Sequence, residues 1–187
     1  MMKSFIEQAR MYGAYHRKPI TRYTHFAGVP LIIFSLMVLF GFLHLVIPGV
    51  MDITLASIAT FALLIYYYFL NWRLALVLTA VFIILLWLAN LVSYYGPTRS
   101  ALWIFLITFI LGWALQLIGH FFEGNRPAFL DNIWQALIAP MFLTAELFFL
   151  GGRMQNLQEQ IQGIEEKEEP IHEESSLDNE IDKSKLE

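Results

Sequence analysis

The chain has no cysteine in 187 residues. That excludes disulfides, cysteine-ligated zinc, iron–sulfur clusters and a thiol nucleophile together. Charge is scarce: 15% of residues are Asp, Glu, Lys or Arg, where soluble domains carry about a quarter. No basic cluster is interleaved with aromatics, which argues against nucleic acid as a partner. Also missing are a glycine-rich phosphate loop, a Ser/His/Asp arrangement, an HExxH pair and an HxxHH box. No apolar stretch follows Lys3 until past residue 25, so the N-terminus does not read as a secretory signal.

What the chain has in excess is hydrocarbon. Hydrophobic residues make up 57% of it, with 16 Phe. Apolar runs cover residues 29–47, 53–70, 74–95, 101–118 and 133–150, each 18–22 residues long. About 20 residues are needed to cross the hydrocarbon core. The pattern predicts an all-α, polytopic membrane helical bundle with about five transmembrane or membrane-embedded helices.

An amphipathic helix precedes them. Phe5, Ile6, Ala9, Tyr12, Tyr15 and His16 recur at helical spacing, and Pro19 is expected to stop that helix. Pro30 suits the first turn of the first membrane helix. Only Asn71-Trp72-Arg73 separates runs two and three, which leaves a tight helical hairpin open. Pro140 and Glu146 mark run five as kinked or buried.

Charge sets orientation and domains. Lys3, Arg10, Arg17, Lys18 and Arg22 precede the first run, and the next loop has no basic residue. This bias places the N-terminus in the cytoplasm. Four crossings then return the chain to the cytoplasmic side at His120, so His16, His25 and His120 fall on one membrane face. A complete fifth crossing puts the tail outside, and a re-entrant fifth segment puts it inside. Residues 1–152 carry 8 Lys/Arg against 5 Asp/Glu, and residues 153–187 carry 4 against 11. The expected division is a membrane-embedded domain (1–152) and an acidic, disordered tail (153–187); His172 in the tail reads as solvated.

Polar chemistry is rare enough here to enumerate. Imidazole is a ligand for iron, zinc, copper and nickel, and three histidines on one face favour a shared metal site over three separate helix ends. His44, near the far end of run one, reads as interfacial or bonded to a neighbouring helix. Glu123 lies three residues after His120 on a shared helical face; it serves as a ligand, orients a histidine, or pairs with Arg126. Glu146 is an intramembrane carboxylate, a type that faces a partner or a polar cavity; bonds to Trp113, Gln116 or a Tyr are the structural alternative. Gln116 is one turn before His120. Arg17, Lys18, Arg22 and Arg126 form a cationic rim, either for topology and anionic lipid or as an anchor for a carboxylate or phosphate. The histidine spacing by itself does not identify a metal.

Three stretches resemble the Mpo1-like family: Tyr15-His16; His25-Phe26-Ala27-Gly28-Val29-Pro30; and Trp113-Ala-Leu-Gln116-Leu-Ile-Gly119-His120-Phe-Phe-Glu123-Gly124-Asn-Arg126-Pro127-Ala128 with Ala139-Pro140 and Glu146 beyond. The resemblance covers roughly residues 5–150, and its third stretch is the most specific. It departs at Thr21, where members often have Asn. It implies an Fe(II)-dependent dioxygenase that uses O2 to shorten 2-hydroxy fatty acids by one carbon. His16, His25 and His120 are then the metal ligands, with Glu123, Glu146 and Arg126 as catalytic candidates. Arg17, Arg22 and Gln116 are the candidates for substrate binding. An integral membrane protein follows, in the endoplasmic reticulum of a eukaryote or the inner membrane of a bacterium, with membrane lipids around it. Two rivals stand: a non-enzymatic lipid-binding or scaffolding bundle, and a metal enzyme of this fold acting on another lipid.

Overall fold

The structure is a computed structural model and describes residues 4–16, 18–49, 51–124, 126–127 and 134–163. Among these residues the architecture is a helical bundle with one small hairpin. Helix α1 is Phe5–Ala14 and α2 is Pro19–Gly41. Strands β1 (His44–Ile47) and β2 (Met51–Thr54) pair antiparallel, with His44 opposite Thr54. Helices α3 (Leu55–Leu70), α4 (Trp72–Ser93) and α5 (Arg99–Glu123) follow, then α6 (Trp134–Leu150) and α7 (Gln155–Gln162).

Helices α2, α4 and α5 are long and apolar enough to cross a membrane. At 1.5 Å per residue they run roughly 33–38 Å, against a hydrocarbon core of about 30 Å. Large apolar side chains stand exposed along them, including Trp87, Trp103, Ile107 and Leu117, a surface suited to lipid rather than water. Side-chain oxygens start the helices where expected: Thr54 caps α3, Asn71 caps α4 and Thr98 caps α5. Asn71 alone joins α3 to α4, so the tight helical hairpin is what forms.

Helices α2 and α5 make the closest pairing. A Cβ on Gly28 would lie 2.9 Å from the Gly112 carbonyl oxygen, and one on Gly112 would lie 2.8 Å from Ile32 Cγ1. Only glycine permits that approach, as small residues do between membrane helices. Gly119, two turns on along α5, sits against Thr24 and His25 in the same way.

Several expectations are corrected. The first membrane helix begins at Pro19, not near Val29, and Pro30 lies inside it. Pro19 does not end α1, which stops at Ala14; it occupies the first position of α2, where its missing N–H costs nothing. His25 is therefore a residue of this helix. Residues 44–47, the end of the first apolar run, leave the helix as β1, because Pro48-Gly49 makes a turn with Gly49 at φ +73°. The tail is helical at its start: α7 packs on α1 and α6, and Ile161 is buried. Residues 164–187, with His172, lie outside the described residues.

Helix α6 is shorter than the three helices of crossing length. Its Glu146 pairs with Arg22 near the start of α2, and the α7 that follows returns to α1, where Arg10 Nε donates to the Gln160 carbonyl at 2.7 Å.

Candidate metal centre

Three elements deliver one histidine each. His16 follows α1, His25 lies in the second turn of α2, and His120 lies in the last turn of α5. All three are buried, at 3%, 1% and 6% exposure. Their Nε2 atoms converge: His16 to His25 is 3.1 Å and His25 to His120 is 3.3 Å. The three rings stand edge to face, with centroids 4.6–5.0 Å apart.

Hydrogen bonding decides what these nitrogens can do. His16 Nδ1 lies 2.7 Å from the Tyr12 carbonyl oxygen. A carbonyl only accepts, so Nδ1 carries the proton and Nε2 keeps its lone pair. His25 hydrogen bonds to the backbone of Thr21; with its Nε2 facing the other rings, that bond falls to Nδ1. Two lone pairs then face each other at 3.1 Å, an arrangement that needs a cation between them. A proton is disfavoured: burial lowers the pKa of His16 from 6.5 to about 4, against the opposing pull of its bond to Tyr12. A metal ion satisfies the same need. Imidazole nitrogens about 2.0–2.1 Å from a tetrahedral ion are roughly 3.3–3.4 Å apart, close to the spacing observed. The donor set therefore fits a first-row divalent ion. No other group of three or more His, Cys, Asp or Glu with this convergence occurs among the described residues.

The surrounding residues fix this arrangement. Tyr12 stacks on His16 at 4.0 Å with ring planes 11° apart, and Phe142 of α6 tilts against Tyr12. Glu123 does not simply pair with Arg126. Its Oε2 accepts from the Lys18 backbone N–H at 3.0 Å and from Thr21 Oγ1 at 2.6 Å. The carboxylate of the last residue of α5 thus caps the first turn of α2, where the helix dipole favours negative charge. Lys18 Nζ answers by donating to the Phe122 carbonyl at 2.6 Å. Thr21, where the resemblance departed, is fully buried and supplies the link between α2 and Glu123. His120 Nδ1 is buried with no hydrogen-bond partner among the described residues.

Glu146 is buried and pairs with Arg22 Nη1 at 3.0 Å. This pair faces a separate polar cavity of about 440 Å³ beside His16. Arg22 is thereby committed to a carboxylate of its own chain. Arg126 is exposed, and Arg17 lies outside the described residues. Gln116 is buried and lines the main cavity with the histidines. His44 pairs with Asp52 at 2.8 Å in the exposed hairpin, far in sequence and fold from the other three.

The main cavity, about 650 Å³, opens from the histidines along α2, α3 and α6. Its walls are mostly apolar; beyond the histidines, Thr60, Gln116, Gln135 and three tyrosines bring polar atoms to its lining. Sequence reasoning gave Tyr12, Thr21 and Phe142 no role at this site and read Lys18 only as part of the cationic rim. Only Tyr12 carried a signal, four residues before His16 on the same helical face.

Comparison with known proteins agrees with this chemistry. A family model described as "2-hydroxy-palmitic acid dioxygenase Mpo1-like" matches residues 2–150. A Saccharomyces cerevisiae protein named 2-hydroxy-palmitic acid dioxygenase MPO1 is 34% identical over 153 residues, covering 80% of this chain and 83% of that protein. No solved structure matches the chain.

Proposed function

Since the chain belongs to the Mpo1-like family, we propose that it is an Fe(II)-dependent dioxygenase that shortens 2-hydroxy fatty acids by one carbon. The observation that carries this is the set of three buried imidazoles whose Nε2 atoms converge at the wall of an apolar cavity.

In this reading His16, His25 and His120 hold the iron, which when bound supplies the one-electron chemistry that O2 requires. The overall change balances as follows. The C1–C2 bond breaks, C2 rises from alcohol to carboxyl, C1 leaves as carbon dioxide, and O2 accepts four electrons to give one water and one carboxyl oxygen. The rest is the work of this chain's own groups. The acyl tail lies in the apolar cavity, which fixes the direction in which the 2-hydroxy acid headgroup points. Gln116, one turn before His120, offers an amide to a headgroup oxygen. Glu123 holds α2 to α5 through Lys18 and Thr21 and keeps His25 facing His120. The Arg22–Glu146 pair holds α6 against α2, so that Phe142 and Tyr12 back His16. Arg126 is a candidate to meet an incoming carboxylate at the membrane face. Hydrocarbon walls keep water from the reacting centre.

Two assays on detergent-purified protein test this. Metal analysis is expected to give close to one iron per chain, lost in His120→Ala. Incubation of the iron-loaded protein with 2-hydroxypalmitic acid and O2 is expected to yield pentadecanoic acid. Absence of metal would favour the scaffold reading, and metal without shortening would favour another lipid substrate.

A further inference from the structure

The main cavity has a long axis, and its far end is built by residues remote from the metal. Its α2 wall runs from His25 to Phe40. Fifteen helical steps separate these positions, which is about 22 Å. The facing α3 wall includes Ala56, Ala59 and Thr60. The two helices run in opposite directions across the hairpin. Ala56 and Ala59 therefore lie toward Phe40, and Tyr66 lies toward the histidines.

Size follows from these side chains. Alanine on α3 faces Leu36, Met37 and Phe40 on α2. Had α3 carried leucines there, the space would be filled. The volume, about 650 Å³, is that of roughly twenty water molecules in the liquid, on the order of a long unbranched chain and its headgroup.

Resting on the functional reading above, we infer that this cavity measures the acyl chain. Ala56 and Ala59 leave room for the last methylenes of a long-chain 2-hydroxy acid, and Phe40 closes the slot beyond them. Each methylene that passes from water into an apolar slot adds about fourfold in affinity. Affinity therefore climbs with chain length until Phe40 is reached, and then levels.

The test is a homologous series from 2-hydroxydecanoic to 2-hydroxystearic acid, with binding followed by tryptophan fluorescence, since Trp113 and Trp134 line the cavity. In the native chain, affinity is expected to rise along the series and level at the long end. Ala59→Phe is expected to level earlier, losing at least tenfold for 2-hydroxystearic acid and less than about threefold for 2-hydroxydecanoic acid. Phe40→Ala, which only removes bulk, is expected to move the levelling point to longer acids. Equal weakening at every length in Ala59→Phe with no change in Phe40→Ala would overturn the inference, as would an unshifted profile in both. Turnover is measured on the same series. If the binding profile shifts but no acid is shortened, the slot stands and the proposed reaction fails. If acids are shortened at an unshifted profile, the reaction stands and the slot fails.

Discussion

The two ends of the bundle carry histidine in opposite settings. At the hairpin end, His44 is exposed and meets the exposed Asp52 across the turn. At the other end, His16, His25 and His120 are buried, and their Nε2 atoms face one another. The difference lies in what stands behind each ring. His44 is backed by two short strands in solvent or lipid headgroups. The other three are backed by Tyr12, Thr21 and two helices locked together at glycine. Imidazole is the same group in both places; enclosure, and for His16 and His25 a backbone bond on the outer ring nitrogen, sets the inner nitrogens facing one another.

The sharpest way to break this contrast is to exchange the outcomes. His25→Ala is expected to remove bound metal and lower turnover by about a thousandfold or more, because the central donor of the three is gone. His44→Ala is expected to leave both within about twofold. Metal-to-protein ratio and oxygen consumption report the pair, and equal effects at the two sites would end the distinction.

A smaller but more instructive effect is expected from Gly112→Leu, which leaves every donor in place. The new side chain has no space beside Ile32, so α2 and α5 move apart and His25 separates from His120. Metal affinity should fall at least tenfold, with a lower unfolding temperature in detergent. Retained affinity would show that the glycine contact does not set the donor spacing.

Glu123→Gln tests the tie between the two helices. It weakens the capping of the Lys18 N–H and the bond from Thr21, and loss of such supporting bonds typically costs about 10–100-fold in metal affinity. An affinity near the lower bound is expected, measured by chelator competition, with the iron content at saturation unchanged.

The smallest effect is one of pH. His16 in the folded chain protonates near pH 4, below its ordinary 6.5, because burial disfavours the charged form. The unfolded chain therefore binds more protons between these values. The contribution of His16 to stability is full above about pH 6.5 and declines as pH falls toward 4. Metal-free protein is expected to lose thermal stability across that window, and His16→Gln should flatten the loss.

Much of the fold was legible because lipid imposes simple rules. Apolar runs near twenty residues read directly as helices, and the expected gathering of His16, His25 and His120 is what the structure shows, while only α2, α4 and α5 among the described helices are long and apolar enough to cross. The boundaries were less legible. The start of α2 among Thr21, Tyr23 and Thr24 looked polar, and only the tertiary structure shows Thr21 buried against α5 there, with its hydroxyl bonded to the Gly119 carbonyl. Residues 44–47 looked like helix continued, and the turn chemistry of Pro48-Gly49 overrode them. The partners of the charged groups were least legible. Arg22 and Glu146 are 124 positions apart, and no spacing rule links residues on different helices.

By itself the sequence determined that this chain folds in hydrocarbon, that its few polar groups matter, and which three histidines share a face. Hydropathy and helical period are local properties, so a linear string carries them. Which nitrogen of each ring points inward, how closely α2 approaches α5, and where a long cavity remains open were decided only in three dimensions. Those outcomes depend on contacts between residues far apart along the chain, where the shape of one helix limits what its neighbour can place.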